Sequence, residues 1–145
     1  MTFTANKTGR DLLIAIAEAL TPTGADAPQA VYHYADVGDK QMQFPNVEVT
    51  PPEGDIDSAA EGDISSVLTY WVIATVSSAS PDQTDSECEA YATALVNAYA
   101  YQEGYVGANP YRLTTSKLSY SPPYVDDTGR QSRSVGISVM VEFHE

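Results

Sequence analysis

The feature that most constrains this chain is the run Val67-Leu68-Thr69-Tyr70-Trp71-Val72-Ile73-Ala74-Thr75-Val76, where β-branched and aromatic side chains fill both alternating sets of positions. Branching at Cβ restricts χ1 in a helix and packs well on a pleated surface, so such a run favours extended backbone. A strand apolar on both faces needs cover on both, from helices and loops or from a neighbouring subunit. The run is expected to be the central strand of a sheet.

The segments around it divide into helices, strands and one acidic loop. Thr8-Gly9-Arg10-Asp11 fits a capping-box pattern, with Leu12, Leu13, Ile16, Ala17 and Leu20 following on one face; a helix is predicted from about Thr8 to Leu20. Thr21-Pro22-Thr23-Gly24 stops it. Ala30 to Val37 is β-prone and Asn46-Val47-Glu48-Val49-Thr50 alternates apolar with polar, so the two are expected to form a hairpin or meander. Pro51 to Asp63 holds five carboxylates and almost nothing to bury, which predicts a long surface loop. A second capping-box pattern, Thr84-Asp85-Ser86-Glu87, opens a helix whose Cys88, Tyr91, Ala92, Leu95, Val96 and Tyr99 share a stripe. Gly104, Gly107 and Asn109-Pro110 end it, and Tyr111 to Tyr120 reads as a strand. Pro122 to Arg130 turns the chain. The last strand puts Val135, Ile137, Val139, Val141 and Phe143 on one face, with Gly136, Ser138, Met140, Glu142 and His144 on the other. The sum is a single α+β domain spanning residues 1–145, with one mainly antiparallel β-sheet, two α-helices packed on one face, and the other face free to associate.

Charge narrows the function. Twenty acidic residues face seven basic ones, a formal net charge of −13. Such a surface repels phosphate, which argues against gripping nucleic acid. It fits adaptation to very high salt, where the Debye length falls to about 3 Å at 1 M, or a surface that DNA passes without sticking. No run approaches the roughly 18 apolar residues of a membrane span, and the N-terminal residues form no signal-peptide core, so membrane insertion and export are not indicated. Ten tyrosines against three lysines resembles the composition of interface cores.

Signs of catalysis or metal binding are weak. Cys88 is the one cysteine and lies on an apolar stripe; His33 and His144 are the two histidines. Asp127-Thr128-Gly129 matches the core of dimeric aspartic proteases, but Asp126 and Arg130 flank it and the triplet reads as hairpin-turn chemistry. Asp55-Ile56-Asp57 with Glu61 and Asp63 suggests calcium, yet the fifth, sixth and twelfth positions of an EF-hand loop would be Ala59, Ala60 and Ser66. Asn6-Lys7-Thr8 matches the glycosylation pattern and reads more simply as a helix cap. No phosphate-binding loop or dinucleotide fingerprint is present, so neither catalysis nor a cofactor is expected.

The order of elements, with the helix Leu12 to Leu20, the strand Val67 to Val76, the helix Glu87 to Tyr99 and a C-terminal hairpin ending Ser138-Val139-Met140-Val141-Glu142-Phe143, resembles the tail terminator and head-to-tail joining proteins of long-tailed phages and archaeal viruses. The resemblance implies a virion protein, assembled in the host cytoplasm. Its subunits would close into a homo-oligomeric ring, six-fold in that family, that caps the tail tube and stops its polymerisation. It also implies contacts with a tail-tube protein and a neck or head-completion protein, with DNA passing through the lumen. On this expectation the subunit interface uses Tyr70, Trp71, Val72 and Ile73. Two acidic segments, Asp55, Asp57, Glu61 and Asp63 in one and Asp126 and Asp127 in the other, face the lumen or an axial opening. The alternatives are a tail-tube or neck subunit of the same particle, a dimeric acid protease using Asp127, and a cytosolic protein-binding domain.

Overall fold

The computed structural model describes residues 5–33, 43–58, 64–125, 127 and 129–144. In chain order they form α1 (Ala5–Glu18), β1 (Ala30–His33), β2 (Asn46–Val49), β3 (Glu53–Ser58), β4 (Ile64–Ser78), α2 (Pro81–Ala98), β5 (Gln102–Val106), β6 (Asn109–Tyr120), β7 (Tyr124–Val125) and β8 (Gln131–His144). The strands make one mixed, mostly antiparallel sheet in the order β1-β2-β4-β8-β6-β5, with β3 also paired to β4 and β7 to β8. The fold is α+β, with both helices packed on the sheet.

The apolar run lies within β4, at the middle of the sheet. β4 pairs antiparallel with β8 from Ser65↔His144 to Ser78↔Gln131. Alternation then sorts the side chains: Leu68, Tyr70, Val72, Ala74 and Val76 of β4 and Val135, Ile137, Val139, Val141 and Phe143 of β8 are buried beneath the helices. α1 adds Leu13, Ala17 and Leu20 to this core, and α2 adds Cys88, Tyr91, Ala92, Leu95 and Tyr99. Val96, read from the sequence as part of the stripe, is instead exposed. It sits one helical step past Leu95, and together with Leu118 and Tyr120 it lines a cleft beside β6.

Three tyrosines bind the layers together. Tyr99 is wholly buried, and its hydroxyl donates a 2.7 Å bond to the Leu13 carbonyl, joining α2 to α1. Tyr91 donates a 2.7 Å bond to the Asp26 carbonyl in the segment between α1 and β1. Tyr70 lies beneath Gly9, where an added Cβ would stand 2.7 Å from its hydroxyl oxygen, so α1 crosses β4 at a backbone distance that only glycine permits without displacement. Burial holds all three phenols well above the usual tyrosine range, so they stay protonated.

Several expectations are corrected. α1 begins at Ala5, so Thr8 lies inside the helix and does not cap it; Lys7 and Asp11 pair across one turn at 4.0 Å. α2 begins at Pro81, because proline's fixed φ suits the first helical position. Thr84 therefore falls in the first turn, with its buried hydroxyl on the Ser80 carbonyl and the Ser78 hydroxyl. β1 and β2 run parallel, so Ala30–His33 and Asn46–Val49 are not a hairpin. Gly104 and Gly107 do not simply end α2: they belong to the hairpin of β5 and β6, where Gly107 (φ +62°) and Ala108 form a two-residue turn and Tyr111 covers Gly104.

The largest correction concerns the acidic segment expected to be a loop. Glu53–Ser58 is strand β3, antiparallel to Ile64–Thr69 of β4. β2 and β3 run along the same edge of β4, and between them Thr50, Pro51 and Pro52 oppose only Tyr70 and Trp71, which makes a bulge. The two prolines offer no N–H to a ladder. Thr50 closes the gap: its N–H donates to the Trp71 carbonyl at 2.9 Å, and its hydroxyl accepts the Trp71 N–H at 3.0 Å.

Replacing Tyr99 by Phe removes the hydroxyl between α2 and α1 and leaves its shape. The expected result is a loss of about 1 kcal/mol in urea unfolding, the net worth of one buried hydrogen bond, with unchanged helix content. An unaltered unfolding midpoint would show that this bond does not hold the helices together.

Candidate functional site

The sheet face away from the helices carries the other half of each strand. Along β4 these are Val67, Thr69, Trp71, Ile73 and Thr75, and opposite them on β8 stand Glu142, Met140, Ser138, Gly136 and Ser134. This face holds an open groove of about 750 Å³ whose lining includes Glu48, Thr50, Glu53, Trp71, Gly136 and Tyr120. Its floor is flat at Gly136. A Cβ there would approach Ile73 Cγ1 to 3.2 Å and Trp71 Cε3 to 3.3 Å, so the missing side chain makes room for the indole. A 2.8 Å hydrogen bond between the Thr75 and Ser134 hydroxyls ties β4 to β8 on this face.

The β2–β3 bulge decides what else lines the groove. Glu48 pairs with Ile73 and Glu53 pairs with Thr69, so both glutamates share the face of Trp71, one toward each end of β4. Five positions apart in an unbroken strand, they would point to opposite faces. Diagonal neighbours across antiparallel strands lie roughly 7–8 Å apart, within reach of long and aromatic side chains. Glu48 is half-buried, and loss of solvent raises its carboxyl above the usual glutamate range. Among the described residues neither glutamate's carboxylate has a hydrogen bond or an ion pair, and none of the groove's lining residues is cationic.

The residues singled out from the sequence fall in different places. Tyr70 and Val72 are fully buried beneath the helices, so they cannot serve as a subunit contact; strand alternation turns them inward. Trp71 and Ile73 lie on the open face. Trp71 and Ile73 lie in a part of β4 that has no free edge, since β2 and β3 run along one side and β8 along the other. Asp55 and Asp57 stand on β3 at register positions opposite Val67 and Ser65. Glu61, Asp63 and Asp126 lie outside the described residues. Asp127 is exposed in the turn between β7 and β8, where Gly129 adopts φ +82°. Glu48, Glu53, Thr50 and Gly136 were not singled out as site residues, although the small and polar second face of β8 was visible in the alternation.

Other chemistry is sparse. Cys88 is buried, and burial pushes its thiol up to about 11, which keeps it from the thiolate a nucleophile needs. Among the described residues no group of three or more His, Cys, Asp or Glu comes together to hold a metal ion, and no helix is long and apolar enough to cross a membrane. No protein-family model and no curated protein matches this chain.

The raised carboxyl of Glu48 gives a pH signature. A carboxyl with a raised folded-state pKa binds its proton more tightly folded than unfolded, so ionisation costs stability. The cost is absent below the ordinary glutamate value of 4.5 and complete above the raised one. Glu48→Gln is expected to raise the thermal midpoint at about pH 7 and to leave it unchanged at about pH 3.5. No gain near neutrality would show that Glu48 ionises there without penalty.

Proposed function

We propose that the protein is a structural virion subunit that works by assembly and not by catalysis. Copies close into a ring, six-fold in the family the sequence resembles, that caps a tail tube, ends its growth and joins tail to head. DNA passes through the lumen without being bound in a sequence-specific way.

The observation that carries this reading, beside the order of elements, is the dissimilarity of the two ends of the sheet. At one end, β5 pairs only with Asn109–Leu113 of β6, so beyond the hairpin Thr114–Tyr120 has no partner on its outer side among the described residues. Exposed Leu118 and Tyr120 of that edge line one cleft with exposed Val96 of α2, and Tyr101 and Tyr105 are exposed at the neighbouring β5 hairpin. At the other end lies the short parallel pair β1 and β2. Two unlike ends suit a head-to-tail contact, which closes into a ring where the rotation permits. An unpaired strand edge with apolar neighbours is also a surface that isolated proteins normally blunt.

The acidic segments fit the same reading. β3 lies at the Ser65 end of the β4–β8 ladder and the turn holding Asp127 at the Ser78 end. Strands rise about 3.3 Å per residue, so the two acidic regions stand roughly 40 Å apart, and each would guard a different opening of the ring. A ring of chains that each carry −13 repels itself at low salt and is screened at high salt.

Light scattering after size exclusion, at about 0.15 M and again at about 2 M salt, tests the proposal. A discrete species of several 15.6 kDa chains, favoured by salt, is expected. Leu118→Asp should give a folded monomer that forms no ring, whereas Trp71→Glu, away from the edges, should still close. Open filaments would indicate a tail-tube subunit, and a monomer under both conditions would favour a protein-binding domain.

A further inference from the structure

We propose that the groove on the open sheet face docks an arginine-bearing segment of a different, basic protein, with the guanidinium held between the indole of Trp71 and the carboxylates of Glu48 and Glu53. The inference stands apart from ring closure, because every residue of the groove belongs to one subunit.

Three observations lead to it. The groove combines one large aromatic face with two glutamates placed diagonally toward its two ends, and among the described residues no lining residue supplies a cation. A guanidinium stacks on an aromatic face and at the same time donates in its own plane to carboxylates. Lysine's compact, strongly hydrated ammonium satisfies only one of these demands at a time. The second observation is Glu48 itself: it is partly withdrawn from water yet has neither cation nor donor among the described residues, and a basic partner would supply both. Thirdly, the groove is open and flat-floored at Gly136, so an extended segment can lie across the strands.

The occupant is not a second copy of this chain. Its four arginines already have partners: Arg10 pairs with Asp11, Arg112 with Glu103 and Glu142, Arg130 with Ser77, and Arg133 with Asp85 and Ser121. Docking any of these in a neighbour's groove would break those contacts and add a second strongly acidic body. A basic partner gains from the surrounding charge of −13 as well as from the groove.

Trp71 is the chain's one tryptophan, so its emission reports on the groove directly. The probe is a short blocked peptide, glycyl-arginyl-glycine amide with an acetylated N-terminus, titrated at about 20 mM salt beside the same peptide carrying citrulline, which keeps the shape and loses the charge. The arginine peptide is expected to give a saturable change. Affinity should be about tenfold weaker for citrulline and for the double variant Glu48→Gln, Glu53→Gln, and should fall with added salt. Circular dichroism of the double variant checks that it folds. No saturable change with arginine, or equal binding of the citrulline peptide or by the double variant, overturns the proposal. A response to a neutral oligosaccharide such as cellotriose with none to the arginine peptide would also overturn it, assigning the groove to polyols. A subunit that stays monomeric in light scattering but binds the peptide would fail the ring reading and leave this one standing.

Discussion

The long antiparallel ladder between β4 and β8 is the constraint on which the rest of the molecule depends. Its paired residues run from Ser65↔His144 to Ser78↔Gln131. Because alternate side chains leave a strand on opposite faces, one continuous register divides both strands along their whole length. One set forms the core beneath α1 and α2. The other becomes an open face. Slipping the ladder by one residue would send Tyr70 and Val72 to solvent and Trp71 into the core, so register here also decides which side chains line the open face.

The open face shows how an interruption in a regular element creates a site. Pro51 and Pro52 cannot join a central ladder, and the chain accommodates them as a bulge that Thr50 seals against Trp71. The bulge changes the parity of the strand. Glu48 and Glu53 then share a face, and the groove acquires two carboxylates around one indole. A segment that reads as a long acidic surface loop is, over Glu53–Ser58, part of the scaffold that positions charge.

Much of the architecture was legible from residues. The final strand's alternation identified its buried face residue for residue, from Val135 to Phe143, because a period of two over that length has one structural solution. The stripe on α2 was right except at Val96. Boundaries were less legible: the capping patterns at Thr8 and Thr84 match a local rule, but neighbouring residues let both helices start earlier, and Pro81 is the better first helical residue. β5 was missed because Gly104 and Gly107 signal equally well the end of a helix and the turn of a hairpin.

The α+β class, the central place of the Val67 to Val76 run, the buried faces of β8 and most of α2, and the strong negative charge follow from the residues alone. These are properties of periodicity and composition, which act locally or in sum. The parallel pairing of β1 with β2, the strand formed by Glu53–Ser58, and the gathering of Glu48, Glu53, Trp71 and Gly136 around one groove emerge only in the folded chain. Those outcomes depend on which strands meet and in what register, and pairing between distant segments is set by the packing of the whole sheet and not by any one segment's own preference.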